Sequence, residues 1–172
     1  MRVIKLAVIS FFFLFLLVTV ISLFIPSHLR VSKAINVNTT DGQVFHYISN
    51  LGEWKQWHPA IKIISEKDIL FKNDSSLLVK NTLIRIARKK PDELITEIKT
   101  QGGRPVMSGI KLIHYNQSDS LTLQWYMDFS LRWYPWEKFK SLFYENIYGV
   151  QMEQGLVNLK QLLEKDRSSI NK

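Results

Sequence analysis

The 172-residue sequence contains no cysteine and only seven glycines and five prolines. Without cysteine the chain can form neither a disulfide nor a thiolate-ligated zinc site, and the usual clue to an oxidising or reducing compartment is missing. No two of the four histidines have the spacing that would place them together as ligands on one helix. They are His28, His46, His58 and His114. The sequence therefore predicts neither a metal site nor a cofactor.

The sequence also lacks a recognisable catalytic pattern. It has no Ser/His/Asp order, no glycine-rich phosphate loop and no paired carboxylates at a useful spacing. His58, between Trp57 and Pro59, is the residue to examine for acid–base chemistry, although a surface or capping role is the simpler interpretation. We predict no catalytic residue from the sequence alone.

Basic residues outnumber acidic ones, which gives a formal net charge of +8. The densest basic run, residues 85–90, stops at Pro91 and is typical of a solvated hairpin tip. Contact with anionic lipid headgroups is the second interpretation of this run. The chain has no basic stripe interleaved with stacking aromatics, so we predict no nucleic-acid partner.

Charged residues are missing from Leu6 to Ile25, a run of twenty residues. At about 1.5 Å per residue such a helix spans roughly 30 Å, the thickness of a bilayer's hydrocarbon core. We predict an uncleaved transmembrane anchor over residues 1–27. A cleaved signal peptide would have a shorter apolar core and a small-residue cleavage site, and a core helix would have a polar face.

The orientation of this anchor is nearly balanced by charge. Arg2 and Lys5 precede the apolar run, and Arg30 and Lys33 follow it. The short N-terminal tail favours an N-terminus inside and a soluble domain on the extracytoplasmic side.

The segment after the anchor has the pattern of an α+β domain, residues 28–166, followed by a flexible tail, 167–172. A first strand begins near Leu29, and a capping box formed by Thr40 and Gln43 precedes a short helix. Further predicted strands separated by turn-forming residues are 61–65, 76–81, 83–88, 93–100, 106–115 and 121–132. Their spacing indicates antiparallel hairpins.

The last strand and the last helix define the predicted core. Apolar and polar residues alternate over 121–132, so one face of this strand needs a cover. Residues 136–166 have apolar residues at helical spacing, in two runs that fall out of register beside Gly149. We expect a kink or a close backbone approach there.

Residues 32–37 (SKAINV), 44–45 (VF) and 50–59 (NLGEWKQWHP), with Gly149 and residues 155–160 (GLVNLK), resemble membrane-anchored members of the START-like superfamily, also called polyketide cyclase/dehydrase or SRPBCC proteins. The resemblance implies a helix-grip fold, in which a bent antiparallel sheet of about seven strands wraps around a long C-terminal helix and encloses an apolar cavity. This scaffold carries lipid carriers, aromatase-cyclases, hormone receptors and chaperone co-activators, so function does not follow from it.

Six side chains are predicted to line that cavity. They are Trp125, Met127 and Phe129 on the strand and Phe143, Ile147 and Val150 on the helix. We expect a single-pass membrane protein that binds a hydrophobic small molecule or lipid beside the bilayer. A cyclase- or hydratase-type enzyme and an interaction module with a filled core remain as alternatives, and the oligomeric state is not predicted.

Overall fold

A computed structural model describes residues 2–114 and 121–170. The predicted anchor is a single helix, α1 (Arg2–Leu23), which is long and apolar enough to cross a membrane. Within this helix Ser22 alone is buried against the rest of the chain. Because the apolar side chains of α1 are exposed, it is not a core helix of the domain that follows.

The domain contains one antiparallel sheet of seven strands, arranged in the order β1-β7-β6-β5-β4-β3-β2. The strands are β1 (His28–Val37), β2 (Ile69–Asn73), β3 (Ser76–Val79), β4 (Thr82–Lys90), β5 (Glu93–Thr100), β6 (Val106–His114) and β7 (Leu121–Ser130). The first strand pairs with the last, and each of the others pairs with its neighbour in sequence. The predicted antiparallel meander is confirmed.

In the part of the chain that the structure describes, five helices follow α1, together with one 3₁₀ turn and one π-helical segment. The helices are α2 (Asp41–Ser49), α3 (Trp54–Trp57), α4 (Pro59–Lys62), α5 (Pro135–Ser141) and α6 (Val150–Ile170). The 3₁₀ turn is Glu66–Asp68, and the π-helical segment is Glu145–Gly149.

One predicted strand is wrong and another was missed. Residues 61–65 belong to α4 and the turn after it, because Pro59 occupies the first helical position, which suits its fixed φ. The strand that the sequence did not predict is β2. It pairs with β3, with an irregularity between Phe71 and Asn73.

The predicted capping box is only partly correct. Helix α2 begins directly after Thr40, as predicted, but the Thr40 side chain makes no capping hydrogen bond. The hydroxyl of the preceding Thr39 instead donates to Gln43 Oε1 at 2.5 Å.

The predicted flexible tail is helical for its first four residues. Helix α6 continues through Ile170, and Arg167 donates to the backbone carbonyl of Asn38 at 3.0 Å. Residues 171–172 and the predicted turn at 116–120 lie outside the described residues.

The predicted single C-terminal helix is interrupted by the π-helical segment, which ends at Gly149. A π turn contains an extra residue, so the side chains before it point in a different direction from those after it. Gly149 also allows a close approach, since a Cβ there would lie 3.0 Å from Lys33 Cε. The predicted change of register beside Gly149 is thus confirmed, and its form is a π turn.

The core lies between α6 and the concave face of the sheet. Along α6 the buried face consists of Met152, Leu156, Leu159 and Leu163. It packs against alternate residues of β7, which sequence alternation had placed on one face, and Gly155 lets the helix backbone approach the Trp125 ring. The fold is therefore the predicted helix-grip arrangement of a curved sheet around a long helix.

Candidate functional site: an apolar cavity under the C-terminal helix

A cavity of about 270 Å³ lies between the N-terminal end of α6 and the sheet. Its apolar wall is formed by α4, by strands β3, β4, β5 and β7, and by the start of α6. The main apolar lining residues are Ile61, Val79, Ile84, Ile98, Met127 and Met152, with Trp125. Leu156, Leu159 and Leu163, further along α6, do not line it, so the cavity is confined to one end of the core.

The polar groups around this cavity are few. They are His58, Lys80, Thr82, Tyr148 and Gln151. Lys80 lies in the tight β3–β4 turn with a φ of 51°, and its backbone N–H donates to the carbonyl of Asp68 at 2.9 Å. No carboxylate is among the described residues that line the cavity.

His58 is enclosed by aromatic rings on the cavity wall. Its ring stacks on Trp54 with a centroid distance of 5.3 Å and meets Trp125 edge-on at 5.1 Å. The residue as a whole is partly buried, but Nδ1 is buried and has no hydrogen-bond partner among the described residues. The surface interpretation of His58 is therefore wrong for its ring. The capping interpretation is confirmed, because His58 is the C-cap residue of α3 and the N-cap residue of α4, and its backbone N–H donates to the carbonyl of Trp54 at 2.8 Å.

Burial also determines the charge of this histidine. Because the ring is desolvated, the pKa of His58 is lowered to about 4. At neutral pH His58 is thus an uncharged imidazole that can form a hydrogen bond inside an apolar cavity.

The tryptophans around His58 are fixed by their own hydrogen bonds. The indole N–H groups of Trp54 and Trp57 donate to backbone carbonyls of α2 at 2.8 and 3.3 Å, and that of Trp125 donates to the Ser108 hydroxyl at 2.8 Å. Because each buried indole is satisfied within the protein, these rings can form a rigid wall.

No metal centre is formed by the described residues, in which no three His, Cys, Asp or Glu side chains come together in a way that could hold an ion.

No protein-family model matches the sequence, and no curated protein matches it. Solved structures do match. A protein from Nitrosospira multiformis has a TM-score of 0.56 at 14% identity, with 78% of this chain and 96% of that chain covered. A START superfamily protein from Mycobacterium smegmatis has a TM-score of 0.53 at 16% identity, with 79% and 97% covered. CalU16 from Micromonospora echinospora has a TM-score of 0.55 at 14% identity, with 78% of this chain and 65% of that chain covered.

The domain has a START-like fold. At these identities the similarity establishes the fold of the START-like domain and says nothing about its ligand. The resemblance seen in the sequence is confirmed at that level.

Two of the six predicted site residues line the cavity of the START-like domain. They are Trp125 and Met127. Phe129 is buried one position further along the same face of β7, but its ring packs against Tyr144 at 4.7 Å and Tyr148 at 4.8 Å and does not line the cavity.

The three predicted helix residues are placed elsewhere. Phe143, Ile147 and Val150 are 60%, 45% and 64% exposed and point away from the sheet. The predicted orientation of Phe143 and Ile147 is wrong because the π-helical segment turns their side chains off the face that α6 buries. Val150 follows that segment and lies two residues before Met152, about 200° around the helix from the buried face.

The residues that take their place are Tyr148, Gln151 and Met152. Met152 belongs to the second apolar run of the helix, and the register break beside Gly149 was the signal that this run, not the first, faces the sheet. Sequence reasoning also missed the pair Ile84 and Ile98, which lie opposite each other on β4 and β5. The alternation of side chains along a strand could predict that both isoleucines face the helix. It could not predict that the space beside them is empty.

Proposed function

We propose that the START-like domain binds a hydrophobic small molecule or lipid in this cavity, and that α1 holds the domain at a membrane. The observation that carries the proposal is an apolar cavity whose wall contains the uncharged imidazole of His58, packed between aromatic rings. Ligand pockets commonly have volumes of about 300–1,000 Å³. At about 270 Å³ this cavity fits a small or slender ligand, or one part of a larger one.

The imidazole of His58 supports a ligand with a polar group. It is uncharged at neutral pH and lines an otherwise largely apolar cavity, so a ligand hydroxyl or carbonyl could form a hydrogen bond with the part of the ring that faces the cavity. The ligand class is therefore an apolar molecule with a hydrogen-bonding group at the end that meets His58.

The anchor supports a location at the bilayer surface. Only residues 24–27 separate α1 from β1, so the domain has little freedom to leave the membrane. The ammonium group of Lys138 donates to the carbonyl of Ile25 at 2.7 Å and to the hydroxyl of Ser27 at 2.8 Å, which ties this connection to α5. A ligand could then exchange with the adjacent lipid.

One observation favours a cyclase- or hydratase-type enzyme as the second candidate. His58 is a buried ionisable group with a shifted pKa inside a cavity, and such groups are common in active sites. A pKa of about 4 nevertheless makes a weak general base at neutral pH, and no carboxylate lines the cavity. Binding is therefore the first proposal. The presence of the cavity argues against the third alternative, a protein-interaction module with a filled core.

Filling the cavity tests ligand binding. Ile98→Trp places a bulky indole ring in the cavity. Ile95→Trp is the control, because side chains alternate along β5 and residue 95 lies on the opposite face of the same strand. The full chain is purified in mild detergent and its hydrophobic ligands are extracted and identified by mass spectrometry.

Wild type and Ile95→Trp are expected to carry one hydrophobic species that Ile98→Trp lacks. If all three proteins carry the same lipids in the same amounts, the cavity does not hold them, and the binding proposal fails.

His58→Phe distinguishes binding from catalysis. A carrier should retain the same molecule with a lower occupancy, because only one hydrogen bond is lost. A cyclase or hydratase should instead accumulate an unreacted molecule of different mass, which would establish the second candidate.

The anchor is tested separately with membranes. The full chain should remain in the membrane fraction through an alkaline wash, and its intact N-terminus should be found by mass spectrometry. Release by the wash, or a mature N-terminus near Ser27, would remove the anchor. A reporter fused after Lys172 that is active only in the cytoplasm should be silent, because the proposed orientation places the domain outside.

A further inference from the structure

We infer that the segment from the end of β7 to the first residue of α6 lies in the headgroup region of the bilayer and forms a membrane-facing collar beside the anchor. The inference rests on the proposed role of α1 as a membrane anchor. The collar is defined by six apolar side chains that are between 45% and 64% exposed. They are Trp133, Trp136, Leu142, Phe143, Ile147 and Val150.

Six large apolar residues exposed within eighteen positions form an unusual surface for a domain surrounded only by water. Their periodicity had predicted that some of them face the protein core. They instead form an apolar surface that no other described part of the chain covers.

The collar lies next to the end of the anchor. Helix α5, which carries Trp136, packs against α1. The backbone N–H of Leu131 donates to the carbonyl of Ser27 at 2.7 Å, so the start of the collar is joined to the residues that leave α1. Phe24, in that connection, is 86% exposed. The exposed apolar side chains of α1 and the start of the collar thus belong to neighbouring elements, and one lipid phase could cover both.

The composition of the collar suits the boundary between lipid and water. Tryptophan and tyrosine concentrate at that boundary because their rings are apolar and their N–H and O–H groups are polar. Here Tyr134 stacks on Trp136 at 4.8 Å and contacts Trp133 at 4.9 Å. Arg132 lies 5.6 Å from the Tyr134 ring, where its guanidinium could also meet lipid phosphates.

The acidic side chains of this segment are already engaged within the protein. Glu145 pairs with Lys33 at 2.6 Å, and Glu137 accepts a hydrogen bond from the backbone N–H of Arg132 at 2.7 Å. Lys140 is exposed. The charge balance of the surface thus fits a lipid surface with anionic headgroups.

This placement would connect the bilayer with the cavity. Ile147 and Val150 belong to the collar, whereas Tyr148 and Gln151, the residues next to them, line the cavity. One turn of helix therefore separates lipid from the cavity, and a ligand could enter from the membrane without crossing water.

The absence of cysteine from the sequence makes a direct test possible, since each introduced cysteine is unique. Phe143→Cys labels the collar. Phe71→Cys is the matched control, because Phe71 is 59% exposed against 60% for Phe143 and lies on β2, at the opposite edge of the sheet from β1. Each full-length variant is labelled with an environment-sensitive fluorophore and placed in nanodiscs of phosphatidylcholine and phosphatidylglycerol.

A spin-labelled phospholipid should quench the fluorophore at position 143 and leave the one at 71 unchanged, whereas iodide in the buffer should show the reverse. Tryptophan fluorescence gives a second readout without a label, because α1 contains no tryptophan. Brominated lipids should quench wild-type emission and should lose that effect in the double variant Trp133→Phe, Trp136→Phe.

Flotation of the same samples separates the two possible failures. A protein that does not float with lipid has no anchor, and the inference fails with it. If the protein floats but positions 143 and 71 are equally open to iodide, the anchor stands and the collar is refuted. Label emission at position 143 that changes with protein concentration and not with the lipid quencher would show self-association through this surface, which also overturns the inference.

Discussion

Two neighbouring parts of the C-terminal helical region have similar apolar periodicity and opposite surroundings. On α6, Leu156, Leu159 and Leu163 are at most 1% exposed, because the sheet covers them. In the collar, Phe143 and Val150 are at least 60% exposed. Periodicity thus identifies an apolar face, but the neighbouring elements determine what covers it. The following predictions test this difference, starting with the largest expected effect.

Leu159→Ala should lower the free energy of unfolding by about 2–5 kcal/mol, because it opens a void in a filled part of the core. Leu142→Ala removes the same atoms from the collar and should change it by less than about 0.5 kcal/mol. Urea unfolding of the full chain in detergent, followed by tryptophan emission, measures both. Equal losses would mean that the collar is packed against protein.

Lowering the pH should weaken the domain through His58. Its pKa is about 4 in the folded state and about 6.5 when unfolded, so between these values the unfolded chain binds more protons. The free energy of unfolding should therefore fall as the pH drops from 6.5 to 4, by on the order of 3 kcal/mol.

His58→Gln should remove that part of the pH dependence. His46→Gln, at an exposed position of α2, controls for the loss of an imidazole as such. If wild type and His58→Gln have the same slope, His58 is not buried as described.

Gly155→Ala tests the close contact on the buried face of α6. A Cβ there would lie 2.5 Å from the Trp125 ring and 3.0 Å from Pro59 Cδ, so the helix must shift at a cost of about 1–3 kcal/mol. Gly42→Ala, in the first turn of α2, meets nothing within 4 Å and should be neutral or slightly stabilising. A harmless Gly155→Ala would show that α6 lies further from the sheet.

Lys138→Met should have the smallest effect, about 1 kcal/mol, confined to the junction of the collar and the anchor. It removes the two hydrogen bonds to Ile25 and Ser27, so hydrogen exchange over residues 24–27 should become faster in nanodiscs. Lys140→Met, two residues further on the exposed face, should not change that exchange. If the two variants behave alike, Lys138 does not hold the junction.

Much of the fold follows from local patterns. The alternation along β7 correctly predicts that Trp125, Met127 and Phe129 are buried. Tyr126 is an instructive exception, since it lies on the other face and is also buried. It fits because the opposing residue is Gly109, where a Cβ would lie 2.2 Å from the tyrosine ring, and alternation does not report such cross-strand space.

The site was less predictable than the fold. Inserting one π turn redirects Phe143 and Ile147. The break in register beside Gly149 is visible in the sequence, but the spacing does not show that a π turn causes it. The burial of His58 depends on how Trp54 and Trp57 of α3 and Trp125 of β7 pack around its ring, a tertiary arrangement that composition does not encode. The cavity likewise exists because side chains from several strands leave one space unfilled, and the sequence of each strand alone does not show this.

The four methionines of the sequence allow a direct test of the central claim, that the cavity holds a hydrophobic ligand. Met127 and Met152 line the cavity, whereas Met107 is on the outer surface of β6. Methyl-labelled methionine is observed by NMR in the full chain in nanodiscs, with a spin-labelled fatty acid added. The account predicts that the Met127 and Met152 signals broaden in wild type and remain sharp in Ile98→Trp. Signals that stay sharp in wild type, or that broaden equally when the cavity is filled, would contradict it.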